Sequence, residues 1–471
     1  MTLFLPEITL LGISVMLLFI CLGKKERSPA FLNSLMVASG FILLGISFYS
    51  LNARGSLHAS TVTYLLDPLS QGFKFLLALA FLFTLLMSSD SVSIPEERLV
   101  EYYFFLSTAM LGMMMIASAA ELLTLYISLE LAAYSLYLLT ATRKGRRNAE
   151  GSVKYLIFGA AVSGFFLWGA SLLTGLSGTS SLPAMAGQLP ALAKQPAFLL
   201  GLVFVSFSFL FKLSSFPLHF WAPDAYECAS TPVTHFIATA SKGAAVAILI
   251  RAFLLMGLPN AAIAFLAAIS FISMIWGNSV ALVQQDVKRL LAYSSIAQAG
   301  YLLVGLLSNS AEGYASAYFY ALAYILMNTG AFMVTIEVAK AIRHDNPQVA
   351  HFDGLAERSP LLALVLLVSL LSLAGIPPLA GFTGKWILFS AAMNQGHWFL
   401  VLWGVLNSVV SLFYYLTIVK HAYLEKPKVP APIVLPVRVR ILGLFLFGAL
   451  ILLGLFPNFF ITFAQKAVAA L

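Results

Sequence analysis

Charge and cysteine are both scarce in this sequence. Only 10% of its 471 residues are Asp, Glu, Lys or Arg, whereas 60% are hydrophobic. A soluble domain carries about 25% charged residues, so this balance excludes one and leaves an integral membrane protein. The two cysteines, Cys21 and Cys228, form no CxxC pair, which excludes iron–sulfur ligation and a disulfide framework. Long polar stretches are missing as well, so neither a separate soluble domain nor a nucleic-acid surface is expected. No Lys or Arg precedes the first apolar run, Leu3 to Leu22, which reads as an uncleaved span rather than a signal peptide.

What fills the chain is apolar runs. They lie at about 3–22, 30–50, 72–88, 102–117, 121–141, 153–176, 197–215, 233–256, 260–283, 290–308, 314–341, 361–393, 398–421 and 440–464. Each approaches the ~20 residues that a bilayer requires, giving an all-α polytopic membrane protein of about 14 helices. The formal charge of +8 reflects topology rather than anionic partners. If the loop of Lys24, Lys25 and Arg27 is inside and the runs alternate, the inside loops also collect Arg98, Arg143, Lys144, Arg146, Arg147, Lys154, Lys288, Arg289, Lys340, Arg343, Arg358, Lys420, Lys426, Lys428, Arg438 and Arg440. The outside keeps Arg54, Lys194 and Lys466, with Lys74 at the edge. That bias places both termini outside.

Two runs are interrupted. The seventh ends in FKLSSFPLHFWAP, and the twelfth contains LAGIPPLAGFTGKW. Clusters of Gly and Pro break helices, and broken backbone at membrane depth survives only where protein or water satisfies it. Matched interruptions point to inverted repeats. The chain therefore divides into helices 1–3 (1–100), a five-helix unit (101–256), a second, inverted five-helix unit (260–421), and a loop with helix 14 (422–471), all within one transmembrane domain.

Four charges inside apolar runs stand out: Glu130, Lys212, Lys242 and Lys385. A charge at the bilayer centre costs roughly 2.5–3.5 kcal/mol on insertion scales, so four of them suggest a chain that moves charge. Each has a plainer reading. Glu130 could be a structural acid hydrogen-bonded between helices, and Lys212 could snorkel to the inside surface. Lys385 could cap carbonyls freed by the twelfth run's break, a role compatible with proton exchange. Ser241, Gly243 and Thr239 around Lys242 suggest a loosened helix, though such residues also pack helices closely. A Glu130–Lys212 pair would hold both groups ionised, and separating it would free the lysine to lose its proton.

His219 stands seven residues after Lys212 and suits proton uptake, since histidine titrates near neutral pH. His235, seven before Lys242, suits either uptake or loop hydrogen bonding. The pair sits poorly for a bis-His haem. His344, His351, His397 and His421 read as solvated. Tyr320 and Tyr324 share a helix face and could line water between Lys242 and Lys385.

At SLELAAYSLYLL, NAEGSVKYLIFGAAVSG, FKLSSFPLHFWAPDAY, ATASKGAAV, DVKRLLAYSSIAQAGYLLVG and SLAGIPPLAGFTGKW the chain resembles the proton-translocating membrane subunits of respiratory complex I. It is most similar to the N type, the counterpart of mitochondrial subunit 2. The resemblance covers nearly the whole chain and implies an interacting pair at Glu130 and Lys212, a central proton carrier at Lys242 and an exit-side carrier at Lys385. Lys154 and His219 match positions linked to the hydrated path. Lysine rather than glutamate at 385 favours the N or L type, and the long lateral helix of L types is not seen after helix 14. One departure is Gln298 in SSIAQAGY, where N types often carry histidine.

The resemblance implies a non-redox subunit of NADH:quinone oxidoreductase that holds no cofactor or metal. Its partners would be other membrane-arm subunits, including related antiporter-like ones, and the lipid bilayer. Quinone would be used by the complex and not bound here. The expected location is a bacterial cytoplasmic membrane, with an organelle membrane as the alternative. Rival readings are a subunit of a multisubunit sodium/proton antiporter, of a membrane-bound hydrogenase or ferredoxin-driven complex, or a stand-alone solute transporter. The last is disfavoured because the buried polar residues form no single cluster.

Overall fold

The computed structural model describes residues 2–23, 28–51, 57–58, 63–89, 94–257, 259–427 and 431–469. Lys24, Lys25, Arg27, Arg54 and Lys428, used above to orient the chain, lie outside these. The first part holds α1 (Leu5–Leu22), α2 (Pro29–Leu51), a minimal antiparallel pairing of β1 (Leu57–His58) with β2 (Leu65–Leu66), and α3 (Pro68–Ser88). Asp67 starts α3 by accepting from Ser70 N at 2.7 Å, with proline at the first helical position.

The first unit comprises α4 (Leu99–Ser118), α5 (Leu122–Thr140), α6 (Arg146–Ser177), the short α7 (Leu182–Ala186) and α8 (Leu189–Leu192), then α9 (Pro196–Leu213), α10 (Trp221–Cys228), α11 (Thr231–Phe236), a π-turn at Ile237–Ser241, and α12 (Lys242–Met256). The second comprises α13 (Asn260–Ala281), α14 (Val287–Leu307), α15 (Ala311–Ile342), the short α16 (Leu355–Arg358), α17 (Pro360–Ala374), α18 (Ala380–Asn394) and α19 (Trp398–Tyr423). The chain continues through α20 (Val437–Leu455) and α21 (Asn458–Ala469). Among the described residues, thirteen helices are long and apolar enough to cross a membrane, and α17 is a shorter apolar helix. The protein is a multi-pass, all-helical membrane protein.

The expected break in the twelfth run is present, and two further stretches divide differently from the sequence reading. The run 361–393 is two half-helices, α17 and α18, because Gly375 adopts φ +92° and ends the first. The run 440–464 is interrupted before α21, where Pro457 cannot continue the ladder of α20. The loop 177–196 contains α7 and α8.

The two units pack alike. In the first, α4 lies along α5; in the second, α13 lies along α14. The contact is so close that a Cβ on Gly112 would stand 2.6 Å from Ala132 N, and one on Gly277 2.6 Å from Ala297 N. The same spacing recurs in both units, with the backbone of Ser128 and Tyr293 also touched, and this register makes Ser295 in the second unit the counterpart of Glu130 in the first. Each unit has a broken fourth member, α9–α10 and α17–α18.

Loop pairings sort the helix ends onto two faces. On one, Arg143 ion-pairs with Asp345 at 3.3 Å, Lys288 donates to Ala229 O at 2.7 Å, and Asp286 bridges to Gln348. On the opposite face, Arg251 meets Asp67 at 2.7 Å, and the backbones of Tyr64 and Ala119 pair. The innermost helices are α11, α12, α14 and α15, while α6 and α19 expose large apolar side chains such as Trp168 and Phe413.

Candidate functional site

The four charges read from the sequence lie near the two helix breaks and on the helices between them. Glu130, half-buried on α5, accepts a hydrogen bond from the Ser163 hydroxyl of α6. It lines a cavity of about 20 Å³ together with Lys212, Ser163, Ser208 and Tyr137. That volume suits one water-sized molecule. No ion pair joins Glu130 to Lys212 among the described residues; the two charges face one cavity without closing on each other. Lys212 sits in the last turn of α9, where the helix's carbonyl end favours a cation. It is only 7% exposed and its Nζ has no hydrogen-bond partner among the described residues, so it does not snorkel. A second small cavity, shared with Ser241, lies between Lys212 and the start of α12.

Lys242 follows the π-turn, in line with the loosened helix expected there. A π-turn shifts the register of the helical ladder by one residue. The Lys242 Nζ donates to Ser295 O at 3.0 Å, the position that matches Glu130 in the other unit. The side chain lines a cavity with Gln298, Tyr320 and Tyr324, so the two tyrosines do face Lys242. The Tyr320 hydroxyl donates to Gln298 Oε1, and the Gln298 amide donates to Leu373 O at 3.0 Å.

That same Leu373 carbonyl accepts from Lys385 Nζ at 3.0 Å. Lys385 also donates to Ala374 O and Ser408 Oγ, both at 3.1 Å, and stands 4.4 Å from the centroid of the Tyr301 ring. Lys385 therefore does cap carbonyls freed by the α17–α18 break, and it shares one of them with Gln298. In the first unit a neutral group does the equivalent work: Trp221 Nε1 donates to Phe211 O at 3.0 Å. Gln298 thus joins the Lys242 cavity to Lys385 through a single backbone oxygen.

The supporting residues fall elsewhere. Lys154 is on the charged face, paired with Glu150 at 2.9 Å and Asp224 at 3.1 Å. It lines a polar cavity of about 220 Å³ with Arg147, Glu227 and Arg289. Nearby, Asp286 caps α14 by accepting from Arg289 N at 2.9 Å; burial raises its carboxyl above the ordinary range, and that amide pulls the other way. His219 lies between α9 and α10, its ring 4.3 Å from Phe220 and 5.7 Å from Phe216. His235 is in neither a loop nor solvent: it is fully buried and bridges Thr84 of α3 and Thr329 of α15, both at 2.9 Å. His421 pairs with Asp353 at 2.5 Å rather than standing solvated.

Sequence reasoning missed Ser163, Ser408 and the Leu373 junction, because only folding shows which helices touch. It also missed two buried ion pairs, Glu7–Lys74 at 2.5 Å and Asp67–Arg251 at 2.7 Å. Arg251 was visible as a further charge inside the run 233–256.

The matching helix order, the paired breaks and the lysines beside them correspond to a known group. The family described as "NADH:quinone oxidoreductase/Mrp antiporter, TM" matches residues 119–411. The chain belongs to this family. It is 42% identical to "NADH-quinone oxidoreductase subunit N 2" of Syntrophobacter fumaroxidans over 99% of both chains. It is 40% identical to "NADH-quinone oxidoreductase subunit N" of Heliobacterium modesticaldum, covering 95% of this chain and 94% of that one. A chain of respiratory complex I from Thermus thermophilus superposes with a TM-score of 0.83 at 31% identity, covering 99% of this chain and 100% of that one. A chain of the Mrp complex from Dietzia shares the fold, with a TM-score of 0.88 at 18% identity over 99% of this chain and 96% of that one. The family match spans both broken helices and Glu130, Lys212, Lys242 and Lys385, and starts after α4.

Proposed function

We propose that this chain is an antiporter-like, proton-translocating membrane subunit of an NADH:quinone oxidoreductase, assembled with other membrane-arm subunits. It carries no redox centre, metal or quinone site of its own and catalyses no electron transfer alone. The observation that carries this reading is the run from the Glu130–Lys212 cavity, past Ser241 and Lys242, to Gln298, Leu373 O and Lys385. The full-length relatives named subunit N, at 36–42% identity, favour it over the sodium/proton antiporter, since the solved Mrp chain is 18% identical.

Charge drives the cycle. A proton arriving on Lys242 repels a charged Lys212 across the Ser241 cavity and pushes it toward Glu130. Loss of the Lys242 proton toward Gln298 and Lys385 relaxes Lys212 again. Lys154 and Asp224, on the charged face, lie at the uptake end, with His219 as a supporting group. Lys385 releases the proton on the far side.

The charged face is cytoplasmic, because Arg143, Lys144, Arg146, Arg147, Lys288, Arg289 and Arg343 gather there. Both termini then lie outside a bacterial cytoplasmic membrane. Cysteines introduced at Arg343 and Lys194 test this: a membrane-impermeant reagent added to intact cells should label the second and spare the first.

Replacing Lys242 by Met in the assembled enzyme tests the mechanism. The expected result is intact assembly with proton pumping lost. A variant with full activity and an unchanged proton-to-electron ratio would falsify the reading.

A further inference from the structure

Two ion pairs are buried toward the opposite face, and they differ in how well they are satisfied. Arg251 donates to both Asp67 oxygens, at 2.7 and 3.0 Å, and to Ala117 O at 3.1 Å. Asp67 also caps α3. Every strong group in that pair is engaged, as expected of a structural clamp. Glu7 and Lys74 are different. Lys74 is fully buried, and its ammonium meets Glu7 Oε1 at 2.5 Å as its one ion-pair partner among the described residues. Tyr64 donates to the same oxygen at 2.7 Å, and Glu7 Oε2 has no hydrogen-bond partner among the described residues. A half-satisfied buried pair stabilises less than apolar side chains of the same size. A buried ammonium beside a carboxylate with a spare acceptor oxygen is chemically suited to another use, proton exchange.

Its position suggests that use. α3 runs along α11 and α12 from one face to the other. Thr84 meets His235, and Asp67 meets Arg251. Between them, Leu77 packs against Gly243, the residue after Lys242, such that a Cβ there would stand 3.4 Å from Leu77 Cδ2. Lys74 is three residues nearer Asp67, about 4.5 Å along the helix. Lys74 therefore lies about one turn from the level of Lys242, toward the opposite face, and Glu7 lies beyond it on α1.

We propose that Glu7 and Lys74 form a proton-exchange site between Lys242 and the outer surface, giving this chain an outlet through α1 and α3 beside the one at Lys385. The inference rests on the proton-transport reading and on the opposite face being the outer one. The Lys74 ammonium passes a proton to Glu7: an Nζ–H bond breaks, an Oε–H bond forms, and the ion pair becomes a neutral amine and acid. Glu7 releases that proton to the outside, and the amine accepts the next one leaving Lys242. No net charge is held in the membrane between turnovers. Tyr64, Asp67 and Arg251 are the other titratable groups facing the pair. The Arg251 charge discourages a second proton from resting there.

The test uses the purified complex that contains this chain, reconstituted in vesicles and driven by NADH and quinone. The double variant Glu7→Leu/Lys74→Leu removes both charges and leaves no orphan. Its initial pumping rate is expected to fall at least twofold. An assembled double variant that pumps at the full rate overturns the proposal, since a purely structural pair is replaceable by leucines. Should the double variant not assemble, the isosteric Glu7→Gln decides: it should remove a protonated-carboxyl band from the infrared difference spectrum of turnover, and an unchanged spectrum overturns the proposal. Lys242→Met separates the two levels. If it pumps normally, the proton-transport reading itself fails; if it stops pumping while the leucine double does not, only the outlet fails.

Discussion

Gln298 occupies the one point where the buried line narrows to a single residue. Its carbonyl accepts from Tyr320 while its amide donates to Leu373 O, the oxygen that also holds Lys385. An amide with a donor and an acceptor keeps the polar connection, although it does not hold a proton as histidine does. Gln298→Leu should therefore cut the pumping rate by up to about twofold, closing the branch to Lys385 and leaving the one at Lys74, whereas Gln298→His should keep the rate near the parental one; vesicle pumping assays on both decide. Ser163 is the other residue-scale case. A hydrogen bond to a carboxylate is worth about 1.5–3 kcal/mol, so Ser163→Ala should slow pumping by about tenfold through a misplaced Glu130. A variant pumping at the parental rate would show that the Ser163 bond does not position the acid. Glu130 was legible as a lone acid in an apolar run. Ser163, in AAVSGFF, carried no signal, because a serine in an apolar helix is common and only the α5–α6 contact gives it a partner.

The helix breaks are the elements that hold the lysines in place. In the second unit, Gly375 at φ +92° ends α17 and leaves Leu373 and Ala374 carbonyls for Lys385. A side chain in the left-handed region costs about 1–2 kcal/mol, and a Cβ on Gly375 would stand 3.2 Å from Lys385 Cδ. Gly375→Ala should thus lower the thermal stability of the subunit by about that energy and displace Lys385, slowing pumping as well. Loss of stability with undisturbed pumping would mean that the break serves folding alone. The breaks were legible from LAGIPPLAGFTGKW and FKLSSFPLHFWAP, since glycine and proline act locally. The π-turn before Lys242 was visible only as a softened neighbourhood, because the extra residue in the ladder is fixed by packing among α3, α12 and α15.

At the scale of the whole molecule, α3 ties the first helices to both units. It touches α12 through Leu77 and through the Asp67–Arg251 clamp. Removing one partner of a buried pair costs about 3–5 kcal/mol, so Arg251→Leu should sharply reduce the amount of assembled complex. Combining it with Asp67→Ser should restore most of it, because serine keeps the α3 cap without the orphaned charge. Quantifying assembled complex by native electrophoresis checks both. If the double variant assembles no better than the single, the clamp contributes more than charge balance.

Composition and pattern alone determined that this is a membrane protein of about fourteen helices, where two of them break, and that Glu130, Lys212, Lys242 and Lys385 fall inside apolar runs. These follow from short-range physics: apolar runs of bilayer length, residues that end helices, and the high cost of an intramembrane charge. Only the tertiary structure decided which groups meet. It placed Glu130 and Lys212 across one cavity rather than in contact, joined Gln298 to Lys385 through one carbonyl, and separated a satisfied clamp from the under-satisfied Glu7–Lys74 pair. Helices far apart in the chain are brought together by packing of their faces, and no local residue pattern encodes that partnership.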